Sequence, residues 1–409
     1  MMLAFEDQVR GEMIMRIARY RFCLVILIAA TAGCAPIEGS GPQPSVSKPA
    51  ASEPKVAPLP DYRGPATRPF LMGFTHWPAD LNEQGLALAR EYADAHGDIV
   101  GLMFIGGIPW AEALDGKPFS ADVQQHMSYR PPAGTKLFLS ISPLNKDKRG
   151  LAPYWGEIDN QPLPQPWNRE TLNSPRVKRA YLNFVLRAIE TMKPDYLAIG
   201  VESNVLLSRD ALRWQQLKEL HRDTYTAVKK AHRALPVFFT TEVLHYKRLA
   251  REAKGTSQEK EVADMMRYSD RFAMSFYPHI SPEPLRPVPA NFLDFATRFK
   301  KGIAIAESGM TSRSLELRSY NTTLHGSDAD QVQFTEYLLK TASRNNYDFV
   351  INFATTDSDR LVARLRPPIA DAARIWAHVG MQTGDRQPKP ASAVWDAFYR
   401  AKYEPVKSR

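Results

Sequence analysis

The sequence predicts an α/β fold, a single (β/α)8 barrel of the TIM type, and three observations support this. Short apolar runs rich in β-forming residues alternate with amphipathic stretches from Phe70 onward. There are eight such runs, which suits a closed ring better than an open sheet. The first turn, Phe74-Thr75-His76-Trp77-Pro78, lacks the glycine-rich loop through which open doubly wound sheets bind nucleotides.

The predicted strands are near-continuous apolar runs, as is typical of parallel strands that are buried on both faces. They are Phe70–Thr75, Ile99–Ile105, Lys136–Ser142, Tyr196–Val201, Pro236–Thr241, Phe272–Phe276, Gly302–Ala306 and Phe349–Phe353. The amphipathic stretches predict helices at Gln84–His96, Val177–Met192, Ala211–His232, Asn291–Lys300, Asp328–Arg344 and Ala391–Tyr399. Strands that alternate with helices imply parallel crossover units.

The N-terminal residues predict an export signal. Three arginines precede the apolar run from Phe22 to Ala30, which is too short to span a bilayer permanently. We therefore interpret residues 1–33 as a signal peptide, with Met15 as an alternative start. Residues 34–67 are rich in Pro, Ser, Ala and Gly and predict a disordered tether. The barrel domain is expected to occupy residues 68–405.

The end of this signal resembles a lipoprotein motif. Thr31-Ala32-Gly33-Cys34 is similar to the bacterial lipobox, although Thr31 stands where leucine is usual. The resemblance implies lipidation of Cys34 and anchoring to the cell envelope, and Ala35 after the cysteine favours the outer membrane. An ordinary cleaved signal, in which Cys34 has no role, is the alternative.

Composition excludes several classes of protein. The 409 residues are 44% hydrophobic, which is enough for a large core, and the net charge is +9. Basic residues are scattered among acidic ones, so we expect no nucleic-acid partner, although a mildly basic surface would suit an acidic polysaccharide. The two cysteines, Cys23 and Cys34, provide no disulfide framework. Without HExxH or His-x-His motifs we expect no metal, no cofactor and a monomer.

Polar and aromatic residues follow the predicted strands, where the chemistry of this fold is located. A cleft lined by carboxylates, amides and aromatic rings would suit a carbohydrate, which needs both hydrogen bonds and stacking surfaces. The candidate substrate-binding residues are His76, Trp77, Trp110, Asn145, Asn204, Glu242, Tyr277, His279 and Asn352. Each also has a structural interpretation: the histidines and tryptophans could simply pack, and Glu242 could cap a helix.

Two carboxylates stand out, because Glu202 directly follows the fourth predicted strand and Glu307 the seventh. Opposite strands of an eight-stranded ring would bring them together. Retaining glycosidases need two carboxyl groups about 5–5.5 Å apart, one to protonate the leaving oxygen and one to attack the anomeric carbon. Their pKa values must differ, so that one group is protonated and the other ionised.

At this point the chain resembles the glycoside hydrolases of clan A, and the resemblance covers most of residues 70–400. It implies that Glu202 is the acid/base and Glu307 the nucleophile. Met274-Ser-Phe-Tyr-Pro278 is similar to the sixth-strand segment of the endo-β-1,4-galactanase family, in which a tyrosine approaches the nucleophile. Tyr277 would have that role.

The chain departs from the clan at two positions. Val201 stands where an asparagine usually binds the substrate 2-hydroxyl, and Phe353-Ala354 stands where the eighth strand usually carries a tryptophan. Asn204 or Asn145 could replace the missing amide. The alternative hypothesis is a catalytically degenerate barrel lipoprotein that binds glycan or assists assembly of the envelope or of exopolysaccharide.

Overall fold

The computed structural model describes residues 62–80, 82–367 and 369–406. Its centre is a ring of parallel strands, and every predicted strand is present. The strands are β1 (Leu71–Thr75), β2 (Ile99–Phe104), β3 (Lys136–Ile141), β4 (Tyr196–Ala198), β5 (Val237–Phe238 and Thr240–Glu242), β6 (Arg271–Phe276), β7 (Gly302–Ser308) and β8 (Phe349–Asn352). The prediction of a (β/α)8 barrel is confirmed.

The ring closes through two features of its topology. Each strand pairs in parallel with the next along the chain, and β8 pairs with β1. The strand β5 is divided at Phe239, so that Val237–Phe238 pairs with β4 and Thr240–Glu242 pairs with β6. All the strands therefore point the same way, and their carboxyl ends meet at one rim.

The interior of the ring is filled by side chains. The rings of Phe138, Phe238 and Phe349 stack across it, with centroids 5.7 Å apart for the first two and 5.0 Å for Phe138 and Phe349. Small residues on neighbouring strands make room for them, namely Ala198, Ala273, Ala304 and Ala306. Because this core is packed, a ligand can reach the barrel only at a rim.

The helices cover the outside of the ring. They are Glu83–His96, Trp110–Asp115, Ala121–Met127, Pro175–Met192, Val205–Arg209, Ala211–Ala231, Val243–Tyr246, Gln258–Met265, Asp328–Arg344, Asp359–Val362, Ile369–Arg374 and Pro390–Tyr399. Capping fixes their starts: the Ser174 hydroxyl accepts the Val177 N–H, and the Ser327 hydroxyl accepts the Asp330 N–H.

One predicted helix is different. Within 291–300 the chain forms only a 3-10 helix, Asp294–Phe299, which ends at Lys300 in a left-handed conformation. The segment contains aromatic residues, Asp and Thr, all of which are weak helix formers, and it is short. The helix propensity of these residues is therefore too low for an α-helix to form, although the spacing of their apolar residues predicts one.

The barrel begins earlier than the predicted residue 68. Thr67–Arg68 pairs in parallel with Lys402–Tyr403, and the Tyr62 hydroxyl donates a hydrogen bond to Glu336 at 2.9 Å. Residues 62–67 therefore belong to the folded domain rather than to the tether. The predicted signal peptide, Cys34 and the rest of the tether lie outside the described residues. Within residues 62–406, as far as they are described, no helix has the length and apolar character to cross a membrane.

Candidate active site

Glu202 lies at the carboxyl end of β4 and is almost completely buried, with 7% of its surface exposed. Its backbone has φ of 49°, a left-handed conformation that costs energy for a residue with a side chain. Its N–H donates to the Thr240 hydroxyl at 2.7 Å, and the next N–H, that of Ser203, donates to the Thr240 carbonyl at 3.0 Å. Contacts with β5 thus hold a strained turn that presents this carboxyl group.

Glu307 is presented by a β-bulge at the carboxyl end of β7. Met274 pairs with Ile305, but Ser275 pairs with Glu307, so Ala306 is an extra residue in β7. Ala306 already faces the ring interior, and strict alternation would point Glu307 outward toward the helices. The bulge turns it to the rim, where its Oε2 accepts a hydrogen bond of 3.1 Å from the Tyr277 hydroxyl.

The two carboxyl groups influence each other. Burial raises the pKa of both, because removal of water disfavours the charged form. The negative charge of Glu202 contributes further and raises the pKa of Glu307 to about 8, against the opposing effect of Lys148 and of the Tyr277 hydrogen bond. The pKa values of both groups therefore lie above that of an ordinary glutamate, and the charge of one group affects the titration of the other. Such a pair can act as an acid and a nucleophile.

Lys148 is a site residue that the sequence did not reveal. It lies in the loop after β3, with 6% of its surface exposed, and its Nζ is 3.7 Å from Glu202 Oε2. The positive charge favours the ionised form of Glu202 and so opposes the rise in its pKa. In the sequence, Lys148 stands in the polar segment Lys146-Asp-Lys-Arg-Gly150, which has the pattern of an exposed loop, so no local signal could have identified it.

A chain of charges extends from the end of β5. Glu242 caps the helix Val243–Tyr246 by accepting the N–H groups of Leu244 and His245 at 2.9 and 2.7 Å. His245 also contacts the carboxyl groups of Glu242 at 2.5 Å and of Glu252 at 2.8 Å. Burial by itself would lower the pKa of His245, but these two contacts outweigh burial and raise the pKa to about 9. The capping interpretation of Glu242 therefore describes its contacts, and its charge still adds to the raised pKa of Glu202.

An aromatic cluster surrounds the other carboxyl group. Tyr277 packs edge to face on Trp376 with centroids 4.4 Å apart, and Trp77 lies against Phe353 at 5.0 Å. Trp376 belongs to the segment beyond β8, outside any predicted strand end, which is why the sequence missed it. Its ring lies 5.5 Å from that of Phe353, which stands where the eighth strand of the clan usually carries a tryptophan. The predicted approach of Tyr277 to Glu307 is present in the geometry.

Two predicted substrate-binding residues are structural. Trp110 has no exposed surface, stacks on Trp167 and donates its Nε1–H to the Ala152 carbonyl at 3.0 Å, so its faces are closed to a sugar. Asn204 is also fully buried, and its amide bonds the N–H and carbonyl of Glu242 at 2.8 and 3.0 Å. The packing interpretation therefore describes the contacts of Trp110, and Asn204 is likewise held by the protein itself, because strand-end position does not reveal which way a side chain points.

Asn145 and Asn352 organise loops. The Asn145 side-chain oxygen accepts the N–H groups of Arg149 and Gly150 at 3.0 and 3.3 Å, which shapes the loop that carries Lys148. Asn352 donates to the carbonyls of Ala354 and Val379 at 2.8 and 3.2 Å. The amide of Asn204 is already bonded to Glu242 and Gln258, so it is not available to replace the one absent at Val201, whereas the bonds of Asn145 involve its side-chain oxygen and its predicted role stays a prediction.

The two histidines are buried and neutral. Burial, and secondarily the charge of Arg90, lowers the pKa of His76 to about 3, and its ring lies edge to face on Tyr129 at 5.0 Å. Burial lowers the pKa of His279 to about 4; it lies behind Tyr277 and bonds the Ile375 carbonyl at 3.1 Å. Among the described residues, both ring nitrogens of His76 and Nδ1 of His279 are buried without a hydrogen-bond partner, so a role of these side chains in substrate binding stays a prediction. Across the described ranges, no group of three or more His, Cys, Asp or Glu side chains is arranged to hold a metal.

Comparison with solved structures shows the same fold. An exo-β-1,4-mannosidase from Opitutaceae bacterium strain TAV5 matches with a TM-score of 0.56 and 15% identity over 83% of this chain and 61% of that one. A GH5_18 variant from Streptomyces cattleya, solved with Manβ1-4GlcNAc, has the same TM-score and identity over 83% of both chains. This chain therefore spans less than two thirds of the mannosidase but most of the Streptomyces protein. A search of curated protein sequences gave no match.

The sequence also matches a family directly. The catalytic domain of GH53 from Ignisphaera aggregans aligns with a TM-score of 0.51 and 14% identity, over 85% of this chain and all of that one. The model of glycosyl hydrolase family 53 matches residues 152–358, just over half of the chain, and this range contains both Glu202 and Glu307. The predicted resemblance to clan A glycoside hydrolases is confirmed, and the chain belongs to glycosyl hydrolase family 53.

Proposed function

We propose that the protein is a retaining glycoside hydrolase in which Glu307 is the nucleophile and Glu202 the acid/base. The observation that carries this proposal is the pair of buried carboxyl groups at the ends of β4 and β7, which interact so that the charge of Glu202 raises the pKa of Glu307. Double displacement requires two such groups about 5–5.5 Å apart. The substrate would be an oligo- or polysaccharide.

In the first step, Glu202 as a carboxylic acid donates its proton to the glycosidic oxygen while a Glu307 oxygen attacks the anomeric carbon. The bond between that carbon and the leaving oxygen breaks, and a covalent glycosyl-enzyme forms. In the second step, Glu202 as a carboxylate takes a proton from water. The water oxygen bonds to the anomeric carbon, and the Glu307 carboxylate leaves.

Tyr277 would orient the nucleophile. Its hydroxyl bonds Oε2 of Glu307, which leaves Oε1 available for attack and favours the ionised carboxylate. The aromatic cluster beside it offers a surface for the apolar face of a sugar. Trp77 also has a buried Nε1–H without a hydrogen-bond partner in the described part of the chain, so a substrate hydroxyl could accept from it.

The proposal is tested by trapping the intermediate. A panel of 2-deoxy-2-fluoro-glycosyl fluorides with gluco, galacto and manno configuration should inactivate the enzyme, because the fluorine slows the second step. We expect one sugar per protein by mass spectrometry, attached to the peptide that contains Glu307. Attachment elsewhere would overturn the assignment of the nucleophile.

A second experiment tests the acid/base. Glu202→Ala with an activated aryl glycoside should stall at the glycosyl-enzyme, and added azide should restore turnover and yield a glycosyl azide of retained configuration. An inverted product would reject the retaining mechanism. Glu316→Ala, on the exposed hairpin Leu315–Leu317 and Thr322–Leu324, is the control and should be insensitive to azide.

A specific observation favours the alternative, a barrel that binds glycan without cleavage. Lys148 lies 3.7 Å from Glu202 and its charge favours the ionised form of Glu202, whereas an acid catalyst must hold a proton. Retained glycan binding by calorimetry, together with no cleavage of any member of a broad polysaccharide panel, would support this alternative. Cleavage at an enzyme-like rate would reject it.

We also propose that the protein is exported, lipid-anchored to the cell envelope at Cys34, in the outer membrane, and monomeric. The support is the lipobox-like segment before Cys34 and the alanine after it. Labelling of expressing cells with a palmitate analogue should mark the full chain and its Cys23→Ser variant but not Cys34→Ser. Equal labelling of both variants would contradict the anchor, and light scattering of the soluble domain would test the monomer.

A further inference from the structure

Among the described residues, the ammonium group of Lys148 beside the acid/base has no hydrogen-bond acceptor. The Lys148 ammonium carries three donors, yet among the described residues its one charged partner is Glu202, at 3.7 Å, which is longer than a hydrogen bond. Its side chain is only 8% exposed. A charge removed from water in this way needs a well-placed acceptor, and the protein supplies only a distant one.

The other cations near the site are already used. Arg209 bonds Glu252 at 2.9 Å and also donates to the Asp147 carbonyl. Both ring nitrogens of His245 contact carboxylates. Of these three cations, Lys148 alone retains capacity to bind an additional anion.

The ammonium is held in place rather than free to turn away. The loop is fixed by the Asn145 side chain, by a bridge between Leu144 and Leu151, and by the donation from Arg209 to the Asp147 carbonyl. Lys148 itself has φ of 48°, a left-handed conformation that persists only when the surroundings impose it. A site that is rigid before its ligand arrives loses little entropy on binding.

The first step of the proposed reaction makes this cation lose its partner. Glu202 must be protonated to donate to the glycosidic oxygen, and a protonated Glu202 no longer balances the charge of Lys148. With a neutral sugar the reactive state would contain a buried, unpaired ammonium next to a carboxylic acid, which is unfavourable. With an acidic sugar, the substrate takes the place of Glu202 as the ion-pair partner, and Glu202 becomes free to hold the proton.

We propose, on the basis of the proposed glycosidase function, that Lys148 binds the acidic group of a carboxylated or sulfated sugar in the subsite beside Glu202, so that the preferred substrate is an acidic glycan. Once Lys148 pairs with the substrate, its charge no longer favours the ionised form of Glu202. An acidic substrate thus both occupies the site and converts it to the reactive state.

The test compares glycans that differ only in their acidic groups. β-1,4-Polyglucuronate and β-1,4-polymannuronate oligosaccharides are measured beside their carboxyl-reduced forms, and a sulfated β-galactan beside its desulfated form. Binding is measured by calorimetry on Glu307→Gln, and kcat/KM on the unmodified enzyme. We expect at least one acidic member to be preferred over its neutral counterpart by about 10- to 100-fold, and this preference to fall as NaCl is raised.

Matched variants identify the responsible cation. Lys148→Met should abolish the preference, Lys148→Arg should keep most of it, and Lys146→Met, an exposed lysine in the same loop, should leave it unchanged. Equal affinity for acidic and neutral members, or an unchanged preference in Lys148→Met, would overturn the inference. Because binding and cleavage are measured separately, acidic binding without cleavage would contradict the glycosidase proposal alone. Cleavage of neutral glycans with no acidic preference would contradict this inference alone.

Discussion

The ends of β4 and β7 carry the same type of side chain in opposite surroundings. Around Glu202 the neighbours are charged: Lys148 and Glu242 act on it directly, and His245 continues the network. Around Glu307 they are aromatic, with Tyr277 as the direct contact and Trp376 behind it. The difference teaches that two identical carboxyl groups acquire different roles through their neighbours, as acid and nucleophile do in a retaining site.

The two ends also use different backbone devices. Glu202 itself has a left-handed backbone conformation in a turn, whereas Glu307 lies at a bulge within a strand. Both devices redirect a side chain that regular geometry would place elsewhere. Both also cost free energy, so we expect this rim to be less stable than the packed ring below it.

The largest expected effect comes from removal of the β7 carboxylate. Glu307→Gln keeps the size and the Tyr277 contact but cannot form the glycosyl-enzyme. We expect kcat/KM on a hydrolysed glycan to fall by at least about 10⁴-fold, as when a covalent nucleophile is removed. Circular dichroism should show an unchanged fold. Full turnover by this variant would show that Glu307 is not the nucleophile, so that the two strand ends would not differ in the proposed way.

Removal of the β4 carboxyl group should have a smaller effect that depends on the leaving group. We expect Glu202→Gln to lower kcat/KM by about 10²–10⁴-fold on a natural glycan, the range for loss of general acid catalysis. On a dinitrophenyl glycoside, whose leaving group needs no proton, the loss should be much smaller. Equal losses on the two substrates would show that Glu202 is not the acid.

A variant of Tyr277 tests whether the aromatic neighbour of Glu307 changes the reactivity and the pKa of this nucleophile. Tyr277→Phe removes a hydrogen bond to a charged group, so kcat should fall by roughly 10- to 100-fold. Because that bond favours ionised Glu307, its loss raises the pKa of Glu307, and the acid limb of the pH–activity profile should move to higher pH. Tyr347→Phe, a buried tyrosine just before β8 at the other end of the barrel, should leave the profile in place.

The smallest effect concerns stability. The pKa of Glu307 is about 8 in the folded protein and 4.5 for an unperturbed glutamate, so its protonated form stabilises the fold fully below pH 4.5. This contribution is lost as pH rises through 8. Relative to the unmodified protein, Glu307→Gln should therefore gain about 2–4 kcal/mol in the free energy of unfolding between pH 5 and pH 9, by urea denaturation. An unchanged difference across this range would contradict the raised pKa.

Local signals were sufficient for much of the fold and for part of the site. Apolar runs predicted all the barrel strands because a strand buried on both faces must be apolar along its length. Glu202 and Glu307 were found because each directly follows such a run, and Tyr277 through the resemblance of its segment. The burial of Trp110 and Asn204 could not be predicted, because a strand-end position does not say whether a side chain faces the rim or the core.

The sequence by itself determined the order of the elements, the closed ring and the two carboxylates at its rim, since these depend on periodicity and on position along the chain. Only the tertiary structure decided which neighbours surround each carboxylate. Lys148 and Trp376 come from loops that are distant in sequence, and their burial follows from packing among several loops at once. Charge, burial and hence protonation are properties of that assembly, and no single segment encodes them.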